Sequence, residues 1–78
     1  MTNLPSLKPK KLLSILQKLG WVIVRQKGSH IQLKQPNKQG FRVTIPYHNE
    51  DLAPGTVNSI VKQMGITKKE FENILNEK

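Results

Sequence analysis

Cysteine is absent from this 78-residue chain, which excludes disulfides, a thiolate nucleophile and Cys-ligated zinc. Acidic residues are absent from the first 49 positions. Long apolar runs are absent as well: the longest near-continuous stretch, Leu19 to Val24, falls far short of the ~20 residues that cross a bilayer. Lys8, Lys10 and Lys11 precede no apolar segment of the kind found in secretory signals. These absences lead to the expectation of a soluble, cytoplasmic protein with no membrane partner. Phosphate-cradling glycine loops, a nucleophile elbow and paired-carboxylate motifs are missing too. Two histidines eighteen residues apart, with only Glu50 and Asp51 nearby, match no compact metal-ligand spacing, so neither a metal nor a cofactor is expected.

What is present suffices for one small fold. Leu, Ile, Val and Phe supply 23 of 78 residues, above the ~20% level below which chains stay disordered. The expectation is a single domain over residues 1–78 with its core at about 9–75. It is marginal in stability, because a chain this short buries only ~60% of its unfolded surface. The net charge of +8 is unevenly spread. Residues 1–49 hold nine Lys and Arg and no acid, whereas residues 50–78 hold four Lys against five acids. That asymmetry points to a polyanionic partner, nucleic acid foremost, engaged by the first two thirds of the chain. A merely solvated basic surface is the alternative, although solvated faces usually mix both signs.

Pro9 suits the first turn of a helix. Leu12, Leu13, Leu16 and Leu19 recur at helical spacing behind it, and Gly20 closes the segment as a C-terminal cap. Trp21 to Lys27 is rich in β-branched residues and ends at Gly28-Ser29; His30 to Lys34 then alternates until Pro36. Pro36 to Gly40 reads as a turn, and Phe41 to Ile45 alternates again before Pro46. Pro54-Gly55-Thr56 leads into Val57, Ile60, Val61 and Met64, with Gly65 as the stop. Thr67 to Glu70 has capping-box spacing ahead of Phe71, Ile74 and Leu75. The result is an α+β fold of order α-β-β-β-α(-α): a three-stranded antiparallel sheet with helices packed on one face. Alternation points Ile31, Leu33, Phe41, Val43 and Ile45 at the helices, together with Val22 and Val24. The opposite face receives Arg25, Lys27, His30, Gln32, Lys34, Arg42 and Thr44, along with Trp21 and Ile23, which are expected to pack against a flanking loop or the C-terminal tail.

The strongest local signal is Gly28-Ser29-His30 at the first hairpin turn, flanked by Arg25, Lys27 and Lys34. Histidine ordinarily titrates near neutrality, so it can take a proton from a ribose 2′-hydroxyl or give one to a leaving 5′-oxygen. The surrounding cations would hold the phosphate and stabilise charge that builds on it. Gly28 supplies φ freedom, and Ser29 is a hydrogen-bond donor to a phosphate oxygen. Read from residues alone, a surface histidine in a basic hairpin is also compatible with plain surface. His48, just beyond the third strand, is a second acid/base candidate with a loop-packing role as its alternative. Gly55 and Thr56 open a helix that offers either a phosphate site or ordinary capping.

Taken together, several segments resemble a known family. These are Leu19-Gly20-Trp21, then Val24-Arg25-Gln26-Lys27-Gly28-Ser29-His30, Val43 to His48, Leu52-Ala53-Pro54-Gly55-Thr56-Val57, and Ile60 to Ile66. In this order they are similar to the HicA (YcfA-like) toxins of bacterial and archaeal toxin–antitoxin pairs. The resemblance spans about residues 9–75; Trp21 stands where the family more often has Phe. It implies a double-stranded-RNA-binding-domain-like fold, endoribonuclease activity on mRNA that arrests translation, and silencing by a HicB-like antitoxin. His30 matches the family's catalytic histidine. Arg25, Lys27, Ser29, Lys34 and Arg42 are the expected RNA-binding residues beside it. Two other readings remain: a non-catalytic double-stranded-RNA-binding module, which wants lysines at the start of its last main helix where residues 54–64 hold only Lys62, and a basic adaptor for an acidic protein.

Overall fold

The computed structural model describes residues 6–48 and 50–76, the Lys38 side chain excepted. Helix α1 covers Pro9–Lys18, with Pro9 in its first turn where no intrahelical N–H is required. Its buried stripe is Leu12, Ile15 and Leu16, the i, i+3, i+4 pattern of a helix lying on a core. The helix ends in a Schellman motif. Gly20 takes φ 95°, its N–H bonds the Gln17 carbonyl at 3.1 Å, and the Trp21 N–H bonds the Leu16 carbonyl at 3.0 Å. The Gln35 side chain also donates to the Leu19 carbonyl at 2.9 Å. This cap corrects the expectation for Trp21. In a Schellman motif the residue after the glycine commonly packs back on the last helical turn. Trp21 accordingly joins the same buried cluster as Leu16 and is only 4% exposed, instead of standing on the polar sheet face.

Strands β1 (Val22–Lys27), β2 (His30–Gln35) and β3 (Lys38–Pro46) form an antiparallel meander with β2 in the centre. Gly28 carries the positive φ, 56°, of a two-residue hairpin turn, the glycine-first pattern of type II′. β3 begins at Lys38 rather than Phe41, because the pairing slips beside Gln35 and Gly40, at φ 87°, absorbs the slip inside the strand. Ile31, Leu33, Val43 and Ile45 are buried on one face, as alternation requires.

β1 departs from the expected pattern. A bulge lies between Ile23 and Arg25, so Ile23 is opposite Leu33 whereas Arg25 is opposite Gln32. Residues directly opposite share a face. Ile23 and Gln26 therefore lie on the helix side, and Val22, Arg25 and Lys27 on the other. Val22 and Val24 line a pocket there with Lys34 and Arg42. The extra residue reverses the parity along the strand. The helices do not cover β1, and Val22, Ile23 and Val24 all remain more than 40% exposed. Phe41 does reach the helix side, where its ring lies against Gly65, but it stays 39% exposed at the margin of the core.

Backbone bonds between Leu7 and Leu52 tie the chain ahead of α1 to the loop ahead of the next helix, next to an exposed Lys8–Asp51 ion pair of 3.1 Å. Helix α2 (Pro54–Met64) packs Val57, Ile60, Val61 and Met64 over the sheet and stops at left-handed Gly65. Its Gln63 amide oxygen accepts the Thr44 N–H of β3 at 2.9 Å. Helix α3 (Lys68–Asn76) starts with the expected capping box: the Glu70 N–H donates to Thr67 Oγ1 at 3.0 Å and the Thr67 N–H to Glu70 Oε1 at 2.9 Å. Phe71 anchors it in the core. The architecture is α+β, a three-stranded antiparallel sheet with three helices. Among the described residues no helix is long and apolar enough to cross a membrane.

Candidate functional site

The sheet face turned away from the helices carries the residues with chemistry. An open pocket of about 620 Å³ at its hairpin end is lined by Arg25, Lys27, Gly28, Ser29, His30, Gln32 and Thr44. Strand pairing explains the grouping. Lys27 is directly opposite His30, and Arg25, Gln32 and Thr44 form one rung across all three strands, with neighbouring Cβ atoms ~5 Å apart. Ser29 sits in the turn, where its carbonyl accepts the Tyr47 N–H, fixing the hairpin against the end of β3. The side chains of Arg25, Lys27 and His30 are exposed, so a bulky anion has access to all of them.

Four of the residues expected at the site, Arg25, Lys27, Ser29 and His30, are thus brought together. Lys34 and Arg42 are not part of that group. They oppose each other further along the sheet, where they line a second open pocket, also of about 620 Å³, with Val22 and Val24. His48 lies just past the strand end that pairs with His30, but it does not line the histidine pocket. The opening of α2 has Ala53 as its N-cap and no side-chain cap bond, so Thr56 is an internal helical residue. Gln32 and Thr44 were assigned no role by the sequence, although their parity with His30 already put them on its face. Val22 and Val24 were missed on this face because the bulge that puts them alongside Arg25 and Lys27 leaves no signature in a continuous apolar run. Among the described residues no three His, Asp or Glu side chains gather as a metal-ligand set.

The fold and the site together define a small α+β domain that presents a histidine hairpin within a cationic sheet face free of Asp and Glu. The comparison with known families narrows it: the family described as the HicA toxin of bacterial toxin–antitoxin matches residues 9–66. The chain belongs to that family, and is therefore the toxin of a toxin–antitoxin pair with an antitoxin as partner. No curated protein matches it.

Proposed function

We propose that this toxin is a metal-independent endoribonuclease that cleaves mRNA, with His30 as its general acid/base, and that a HicB-like antitoxin silences it by covering the same face. The observation that carries the reading is the pocket in which His30 stands beside Arg25, Lys27 and Ser29. In the proposed step His30 takes the proton of a 2′-hydroxyl. The 2′-oxygen bonds to the adjacent phosphorus as the bond to the 5′-oxygen breaks, and that leaving oxygen receives a proton from water or His48. Arg25, Lys27 and the Ser29 hydroxyl hold the phosphate and offset its added negative charge. Nothing in this sequence of bonds needs a metal.

The duplex-binding reading is less well supported, since the first turn of α2 offers no cation and Lys62 lies in its last turn. Cleavage of a defined RNA in EDTA, leaving 2′,3′-cyclic phosphate ends, is the expected result. His30→Ala should slow it by at least the ~10²–10⁴-fold typical of general acid–base catalysis while RNA binding persists. A folded His30→Ala protein that cuts at the parental rate would remove His30 from the chemistry and leave the adaptor reading. His48→Ala separates the two proton donors: a comparable loss indicates a histidine pair, and little change indicates water.

A further inference from the structure

The second pocket has no part in the step above, yet two of its features are unusual. Lys34 and Arg42 are directly opposed cross-strand partners, a like-charge arrangement that costs stability. Neither has an ion pair among the described residues. Beside them Val22 and Val24 are 46% and 48% exposed, an apolar pair in a pocket that Pro36 and Phe41 also border. A local arrangement that works against stability is characteristic of a binding surface. An anion between Lys34 and Arg42 would turn their repulsion into attraction, and a flat apolar group laid on the valines would remove them from water. A nucleotide carries both groups in one unit.

The β1 bulge makes this a single surface. Without it Arg25 and Lys27 would lie on the opposite side of the strand from Val22; with it the apolar pair and the histidine pocket share one face. Lys34 is four residues from His30 along β2, about 13 Å at ~3.3 Å per residue, or roughly four stacked nucleotides at ~3.4 Å each and fewer if extended. We propose that the Val22, Val24, Lys34 and Arg42 end of the sheet is a nucleotide subsite for a single RNA strand whose scissile phosphate lies at His30. Lys34 and Arg42 clasp a backbone phosphate, and the neighbouring base lies on the two valines. The strand is single because a base paired within a duplex is not free to lie flat on a side chain. This inference rests on the ribonuclease reading, which supplies the RNA. An acidic protein segment suits the cations as well, but it gives no reason for the continuity with the histidine pocket.

Binding of a fluorescein-labelled ten-nucleotide RNA to the full chain carrying His30→Ala, which prevents cleavage, tests the subsite by fluorescence anisotropy. A second strand, abasic outside the scissile dinucleotide, is the comparison. Val22→Thr/Val24→Thr keeps shape and β-branching at exposed positions. It should weaken the normal strand about 3–10-fold, at or below the lower end of the range for aromatic stacking, leaving the abasic strand and the salt dependence unchanged. Lys34→Gln/Arg42→Gln should weaken both strands and reduce the log–log salt slope by about 0.7, the value for the one phosphate the pair clasps. Circular dichroism checks the fold, and Val24→Ala stands in should the threonine pair unfold. Parental affinity in the threonine variant overturns the subsite even if it loses its antitoxin, which would make the valines a protein-docking surface. So does an equal loss on both strands. Failure of the starting chain to bind any RNA overturns the ribonuclease reading itself, a result distinct from either.

Discussion

Gly65 closes α2 at φ 79°, and a Cβ built there would run into the Phe41 ring of β3. Gly65→Ala therefore carries two separable penalties. Left-handed backbone costs an L-residue about 1–2 kcal/mol, and forcing a methyl against a packed ring costs a further ~1–3 kcal/mol, for a total of about 2–5 kcal/mol. For a chain of this size each kcal/mol shifts Tm by ~4–8 °C, so a fall of at least about 8 °C is expected. Trp21, the single tryptophan and a buried one, supplies the fluorescence signal for urea and thermal unfolding. A double-mutant cycle with Phe41→Ala isolates the ring. With the ring removed, Gly65→Ala should cost only the ~1–2 kcal/mol of backbone strain. Perfect additivity of the two substitutions would show that the ring and glycine do not constrain each other. A Gly65→Ala protein within ~0.5 kcal/mol of the parent would refute the whole argument.

Core truncation should separate buried from exposed positions: Leu16→Ala by about 2–5 kcal/mol and Val43→Ala by somewhat less, against ~0.5 kcal/mol or less for Lys11→Ala, measured by urea denaturation. Thr67→Ala should cost about 1 kcal/mol and raise amide exchange at Glu70 and Phe71, where the α3 capping box is lost. RNA affinity should fall with salt at a log–log slope of about −0.7 per phosphate neutralised, and the pair Arg25→Gln/Lys27→Gln should flatten it by about that amount; a salt-independent affinity would remove the polyanion argument. The antitoxin surface facing this protein should be acidic and protect residues 25–34 from hydrogen exchange. Protection confined to α3 would instead indicate inhibition at a distance.

Where one periodicity governed a segment, it could be read directly. Leu12 and Leu16 in α1, Val57 to Met64 in α2, and Ile31, Leu33, Val43 and Ile45 in the sheet each bury the stripe their spacing dictates, although in α1 Ile15 completes the stripe, Leu13 is half-buried and Leu19 at the helix end stays exposed. β1 was not legible, because Val22-Ile23-Val24 is apolar at every position and has no alternation from which a bulge shows. The placement of Trp21 failed for a related reason. Leu19-Gly20 marks the helix end, but a strand parity extended backwards through the cap ignores the bond from Trp21 to Leu16. At the candidate site, the lack of acid in residues 1–49 marked the cationic face. The division of its basic residues between two pockets depends on the register, which composition does not encode.

The Thr44 bond to Gln63 has a consequence for the toxin when no antitoxin is present. A sheet of three strands has two outer rows of backbone groups through which copies can zip together. On β3 the Gln63 amide occupies the Thr44 N–H from α2, standing where a fourth strand would begin. On β1 the bulge breaks the spacing, and Arg25 and Lys27 follow it with charge, two devices that discourage edge-to-edge growth. Gln63→Leu would leave the Thr44 N–H unmet and open that row. Such a variant should form thioflavin-positive aggregates sooner than the parent at equal concentration, although its basic face is intact. Colloidal persistence of the free toxin would then depend on one helix-borne amide.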